Sequence, residues 1–149
     1  MNVQKIAVIG ALIVGFVSCS AGEDKAAAKA GVARFRAQVA QDQFAEMYND
    51  WEEARFRGTT SEDFIHAMKS ISTQLGAHQS SKQVEWRAKH GADGTMITLE
   101  YETVFEKKGK AKERFVFRVK DGEAHLARYH LGGVSISLNP EDSKETEAA

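Results

Sequence analysis

Apolar residues recur at helical spacing in the first third of the chain. Val32, Phe35 and Val39 begin the pattern, and after a polar break at residues 41–43 it resumes at Phe44. This spacing predicts one bent helix or two short ones, with an apolar face turned toward a core. The residues that continue this face are Met47, Tyr48 and Trp51.

A second helix is predicted between residues 61 and 75. Thr60 is a hydroxyl N-cap with the carboxylate of Asp63 three positions on, and Gly76 supplies a left-handed stop. Between these signals one face is apolar, so we expect this helix to pack against the same core. That face consists of Phe64, Met68, Ile71 and Leu75.

Beyond Gly76 the apolar period changes to two, which is typical of strands. The alternating runs lie at residues 84–88, 97–105, 115–119 and 124–131. Asp121-Gly122 is a tight-turn pair before the last run, and Gly132-Gly133 permits a bulge before a short apolar run at residues 134–138. Helices followed by antiparallel strands predict an α+β fold.

The hairpin formed by the second and third runs has a register that can be predicted by centring its turn on Gly109. On the apolar side, the predicted pairs are Leu99 with Val119, Tyr101 with Phe117, and Thr103 with Phe115. On the other side, the predicted pairs are Glu100 with Arg118, and Glu106 with Lys112. A slip of one residue would destroy both patterns at once, because it exchanges the two faces.

The first 18 residues read as a secretory signal peptide. Lys5 gives a positive start, and residues 6–17 carry no polar side chain. As a helix this run spans about 18 Å, well short of a ~30 Å hydrocarbon core. Short length, positive start and a small-residue exit favour a signal peptide over a membrane-spanning helix.

The end of the signal peptide resembles a bacterial lipoprotein lipobox. Its sequence is Phe16-Val17-Ser18-Cys19, in which Phe16 occupies a position where Leu is commoner. The resemblance implies that Cys19 is acylated, becomes the first residue of the mature protein and anchors it durably to a membrane. Ser20 after the cysteine implies the periplasmic face of the outer membrane. The alternative is an ordinary cut near Cys19 and a secreted or periplasmic soluble protein.

The domain limits follow from composition. Residues 19–31 contain no large apolar side chain, which predicts a flexible tether after the lipidated Cys19, or a frayed helix start. Acidic residues dominate after Pro140, so residues 139–149 are predicted to be a disordered acidic tail. The folded domain is expected to span residues 32–138.

Composition excludes several classes of function. The chain has 149 residues with 20 basic and 21 acidic side chains, so it lacks the basic excess of nucleic-acid-binding proteins. One cysteine cannot form a disulfide framework within the chain or a Cys-rich metal site. Five histidines show no ligand spacing, so we predict no metal site and no cofactor. They are His66, His78, His90, His125 and His130.

The order of elements resembles that of the NTF2-like (cystatin-like) superfamily, in which a curved antiparallel sheet wraps a long helix. The residues that carry the likeness include residues 47–51, Phe56, residues 61–64, Leu75-Gly76, residues 101–105, Lys112-Glu113, Asp121-Gly122, Leu126 and Tyr129. The resemblance implies N-terminal helices packed on a curved sheet. It selects no activity, because such folds serve isomerases, dehydratases, transport adaptors and binding modules.

Two groups of residues are candidates for function. Trp86, Tyr101 and Phe117 belong to the apolar side of the sheet and are predicted to line a ligand pocket. The charged side offers a candidate interaction face, although exposed cross-strand pairs most often keep a sheet soluble. That face consists of Glu100, Glu102, Arg114 and Arg118.

We therefore predict a membrane-anchored envelope lipoprotein that acts as a non-enzymatic binding module for another envelope protein or a small apolar ligand. No catalytic residue and no nucleic-acid partner are predicted. The alternative is a small isomerase or hydrolase that uses Asp50 with a tyrosine in the pocket. The tyrosines are Tyr48, Tyr101 and Tyr129. A carboxylate beside one of them in the pocket favours the enzyme, and a filled or aliphatic interior favours the binding module.

Overall fold

The structure, a computed structural model, describes residues 21–50, 59–132 and 134–136. Its helices are α1 (Ala21–Ala40), α2 (Phe44–Asp50) and α3 (Ser61–Leu75). Its strands are β1 (His78–Gly91), β2 (Gly94–Phe105), β3 (Gly109–Lys120), β4 (Glu123–Leu131) and β5 (Val134–Ile136). The predicted signal peptide, Cys19 and acidic tail lie outside the described residues, as do Trp51 and Phe56.

The strands form one antiparallel sheet in sequence order, and the helices precede it along the chain. The predicted α+β fold is confirmed. The predicted turn between β3 and β4 is also confirmed, with positive φ at both Asp121 and Gly122, as a type I′ turn requires. None of the helices within residues 21–50 and 59–132 is both long and apolar enough to cross a membrane.

The predicted register of the β2–β3 hairpin is wrong by four positions. Leu99 lies opposite Phe115, Tyr101 opposite Glu113, and Glu100 opposite Arg114. The loop consists of residues 106–108, and Gly109 follows it at φ +75° instead of lying at its centre. A three-residue loop that ends in a left-handed glycine is a common hairpin connection. Because the error is an even number, the two faces of the sheet are nevertheless as predicted.

The apolar side of the sheet packs against α1, and the aromatic residues of β3 lie at the centre of this contact. Phe115 and Phe117 are almost fully buried, and the ring of Phe35 from α1 meets that of Phe115 edge-on at 5.2 Å. Leu99 and Ile97 of β2 are also fully buried. Burial of each such side chain stabilises the fold by about 1.5–3 kcal/mol. This layer therefore makes a large apolar contribution to the free energy of folding.

Helix α1 begins at Ala21, eleven residues before the predicted domain boundary. Residues 21–31 are therefore helical, which corrects the prediction of a flexible tether in this segment. Ala28 is fully buried, and Gly31 lies directly against the ring of Phe117. The segment packs through small side chains, which allow the helix backbone to approach the sheet closely.

The boundaries of α3 are as predicted. The Thr60 hydroxyl accepts a hydrogen bond from the backbone N–H of Asp63 at 3.1 Å, which satisfies one free donor of the first turn. Gly76 follows the helix at φ +73°, and its N–H donates to the carbonyl of Ser72.

We predict that Gly31→Ala destabilises the protein, although alanine is the better helix former. A Cβ at this position would lie 2.5 Å from Cε1 of Phe117, so overpacking is expected to lower the free energy of unfolding by about 1–3 kcal/mol. Urea denaturation measures this change. The double variant Gly31→Ala/Phe117→Leu should lose less than the sum of the two single variants, because the smaller side chain leaves room for the Cβ.

The control is the exposed Ala33 on the same helix, where Ala33→Gly should cost about 0.5–1 kcal/mol by helix propensity alone. Stabilisation by Gly31→Ala would contradict the close packing of α1 on Phe117.

Candidate functional site

A buried carboxylate lies in the middle of the apolar side of the sheet. Glu113 shares its side of β3 with Phe115 and Phe117, because residues two apart on a strand point the same way. Its side chain is only 2% exposed. Burial of a carboxylate at such a place requires hydrogen bonds and a compensating charge.

Three side chains supply this compensation. The Tyr129 hydroxyl donates to Oε1 of Glu113 at 2.7 Å, and the Thr103 hydroxyl donates to Oε2 at 2.5 Å. Arg36 Nη2 donates to the same Oε2 at 2.9 Å and forms the ion pair. Each carboxylate oxygen therefore has a donor, and the negative charge has a cationic neighbour.

Arg36 connects helix α1 to three strands through this site. Its Nη1 donates to the Ser81 hydroxyl of β1 at 2.5 Å, and its guanidinium lies 4.9 Å from the ring centroid of Tyr101 on β2. Its Nε is buried and has no hydrogen-bond partner among residues 21–50, 59–132 and 134–136. The guanidinium thus contributes an ion pair, a hydrogen bond and a cation–π contact at one point.

The site shifts the pKa of neighbouring groups. Burial, followed by the negative charge of Glu113, raises the pKa of the Tyr129 phenol. Burial also raises the pKa of Tyr101. Burial and the nearby Arg36 lower the pKa of His78. Both phenols are therefore protonated and His78 is largely neutral near pH 7.

A cavity of about 420 Å³ lies beside this network, between α1, α3 and the sheet. Arg36, Glu113 and Tyr129 form the buried part of its polar lining, which also includes Asp42, Ser72, His78, Glu106 and Lys107. The apolar side consists of Phe35, Val39, Met68, Ile71, Leu75 and Phe105. The volume lies within the range of small-molecule sites, which combine apolar walls with a few polar groups.

The predicted pocket residues do not border this cavity. Trp86 lies on the edge strand β1 with 39% of its surface exposed, and the ammonium of Lys25 lies 4.4 Å from its ring centroid. Phe117 is covered by Gly31 of α1. Tyr101 faces Arg36. All three lie on the helix side of the sheet, but the structure does not bring them together around a cavity.

The predicted interaction face is brought together in part. Arg114 Nε donates to Glu100 at 2.8 Å, and both residues border an open groove with Glu102 on the outer face of the sheet. Arg118 lies farther along β3, opposite Met96 instead of Glu100, and does not border the groove.

The alternative catalytic pair of Asp50 and a tyrosine is not formed. Asp50 accepts a hydrogen bond from Gln38 at 2.6 Å, and the Tyr48 hydroxyl donates to the carbonyl of Thr59 at 3.2 Å. A carboxylate does lie beside Tyr129, but it is Glu113, which the sequence-based prediction did not include as a candidate. Its alternation in phase with Phe115 and Phe117 was the signal that could have identified it.

Residues 31–129 match the model of a family described as "Protein of unknown function (DUF4019)". The chain belongs to this family. No curated protein matches the chain. The DUF4019 match begins at Gly31 and ends at Tyr129, so it contains the whole Arg36–Glu113 network.

We predict that Arg36 and Glu113 depend on each other energetically. Either Arg36→Met or Glu113→Gln should lower the free energy of unfolding by about 2–3 kcal/mol, because each leaves a largely buried charge without its partner. The double variant should lose less than the sum, with a coupling of about 1–2 kcal/mol in urea denaturation.

Tyr129→Phe is the matched control in this DUF4019 protein, since it removes one donor and no charge. It should cost about 1 kcal/mol. Additive losses for Arg36→Met and Glu113→Gln would show that the ion pair contributes nothing to folding.

Proposed function

We propose that this protein is a lipid-anchored component of the bacterial envelope whose domain binds a small, largely apolar ligand without transforming it. The observation that supports binding is the presence of the charge-paired Arg36–Glu113 network beside an apolar cavity. The ligand would lie between α1 and α3, with its apolar part against Met68, Ile71 and Leu75.

The state of Glu113 argues against catalysis. A general base must have an oxygen within reach of the substrate proton that it accepts in the transition state. Glu113 instead accepts three hydrogen bonds and pairs with Arg36. The Tyr129 hydroxyl donates a hydrogen bond to Glu113, and its raised pKa makes it a poor acid near neutral pH.

The charge balance of the cavity favours an uncharged ligand head. The charge of Arg36 is offset by Glu113, so the buried network has no net charge to attract an ion. The other charged residues of the lining are exposed to solvent, namely Asp42, Glu106 and Lys107. An amphipathic molecule with a short polar end and a hydrocarbon body matches such a lining.

The proposed anchor is supported by the lipobox-like residues 16–19. Helix α1 begins two residues after Cys19, so an acylated Cys19 would hold the domain close to the membrane surface. Ser20 supports the outer membrane as the location. The proposed NTF2-like relationship is supported by the order of helices followed by an antiparallel sheet.

An isomerase or hydrolase is the second candidate function. The contact of the Tyr129 hydroxyl with Glu113 at the side of a cavity favours it, because tyrosine–carboxylate pairs can serve proton transfer. The two functions differ in what leaves the protein: a binding module releases its ligand with unchanged mass, and an enzyme releases a product.

We predict that the protein purified from bacterial membranes carries covalently attached acyl chains and, in addition, a non-covalent ligand. Intact mass spectrometry should find a chain that begins at Cys19 with added acyl mass, and native mass spectrometry should find a further, dissociable mass. Cys19→Ala should abolish the acyl mass together with the cut before residue 19, and should leave the dissociable mass. Ile71→Trp should remove only the dissociable mass, because the indole fills the cavity.

Ala67→Trp is the matched control, since Ala67 is exposed on the same helix and should leave the ligand bound. A wild-type chain without acyl mass would disprove the anchor. Equal ligand retention in Ile71→Trp and Ala67→Trp would disprove the cavity as the binding site.

A further inference from the structure

Four lysines border the open groove on the outer face of the sheet, on the side away from the helices. The groove has a volume of about 1020 Å³ and lies around the β2–β3 hairpin. Its lysines are Lys82, Lys108, Lys110 and Lys112. No ion pair of these lysines is formed with any residue in the described part of the chain. The groove therefore presents an excess of positive charge, since its lysines and Arg114 outnumber its carboxylates.

The spacing of these charges matches an extended peptide. Lys110, Lys112 and Arg114 alternate along β3, and Lys108 precedes the strand in the hairpin loop. Alternate residues of a strand lie about 6.8 Å apart on one face. Alternate side chains of an extended peptide have the same separation, so its carboxylates can meet successive ammonium groups.

The groove also contains negative charge, which selects among anions. Glu100 is held by Arg114 at 2.8 Å, and Glu102 lies between Lys82 and Lys112 in adjacent strands. A uniform polyanion would be repelled by these carboxylates. An acidic peptide that also carries hydroxyl and amide donors would not, since Glu100 and Glu102 can accept hydrogen bonds from it.

Two other anionic partners fit the groove less well. Single-stranded nucleic acid is bound through aromatic stacking platforms, and His130 is the one aromatic ring among the described residues that border the groove, with no Phe, Tyr or Trp beside it. A membrane surface is disfavoured by orientation. Lys25 near the start of α1 contacts Trp86, whereas Arg36 near its end contacts Ser81 and Glu113 beside the groove. The anchor proposed above would therefore hold the groove away from the membrane.

We infer that this groove is a docking site for an extended acidic segment of a partner protein. Carboxylates of the segment pair with Lys108, Lys110 and Lys112, and its polar groups meet Glu100 and Glu102. The site is separate from the cavity between α1 and α3, and its occupation does not require the ligand proposed for that cavity.

The probe is a fluorescent twelve-residue peptide of alternating Glu and Ser, and its binding to the full chain is measured by anisotropy at low ionic strength. Lys110→Gln/Lys112→Gln should weaken binding roughly five- to tenfold, because two unpaired cations are removed from the contact. Added salt should weaken binding further, because exposed charges are screened.

The matched control is Lys29→Gln/Lys69→Gln, which makes the same change in net charge at two exposed lysines on the helices. It should change affinity less than twofold, and an equal loss in both double variants would overturn the inference. So would stronger competition by heparin or by anionic vesicles than by unlabelled peptide. A chain that ends at Asn139 should bind the probe as the full chain does; tighter binding would assign the groove to residues 140–149 instead.

Discussion

The structure depends on the burial of one carboxylate among aromatic side chains. Glu113 lies beside Phe115 in the apolar layer, where an uncompensated charge would be too costly to keep. Compensation comes from three different elements, because Thr103 belongs to β2, Tyr129 to β4 and Arg36 to α1. The carboxylate therefore restricts how α1 and the three central strands can be arranged, since another arrangement would leave it without donors.

The ion pair of Glu113 with Arg36 also determines the polarity of the cavity lining. Arg36 forms an ion pair with Glu113, donates a hydrogen bond to Ser81 and lies against the ring of Tyr101. Its charge is therefore not available to pair with a ligand. The buried network is thus a charge-balanced surface opposite the apolar residues of α3. This arrangement fits recognition of an amphipathic molecule better than it fits proton transfer. The charged groove lies on the other side of the sheet, and its lysines take no part in this ion pair.

Much of the fold could be predicted from periodicity, because the helical faces and the alternation of the strands reflect which side chains are buried. The register of the β2–β3 hairpin could not be predicted. A shift of four positions keeps every residue on its face of the sheet, so only the position of Gly109 relative to the loop determines the register.

The start of α1 at Ala21 was not predicted, because Ala28 and Gly31 are small residues that contribute no apolar pattern, although they pack closely against the sheet. The exposure of Trp86 could not be predicted because the sequence does not show which strand is an edge. Glu113 was overlooked because neighbouring charged residues made it resemble a solvent-facing position.

The most direct test of the network is the ionisation of the Tyr129 phenol, followed through the near-ultraviolet absorbance of tyrosinate. Because burial and Glu113 raise the pKa of Tyr129, its proton stabilises the folded state below the ordinary tyrosine pKa of about 10, and that stability is lost as the pH rises further. The folded wild type and Tyr129→Phe should therefore ionise the same number of phenols until the protein unfolds. An additional phenol that titrates near pH 10 in the folded wild type, and is missing in Tyr129→Phe, would contradict the account.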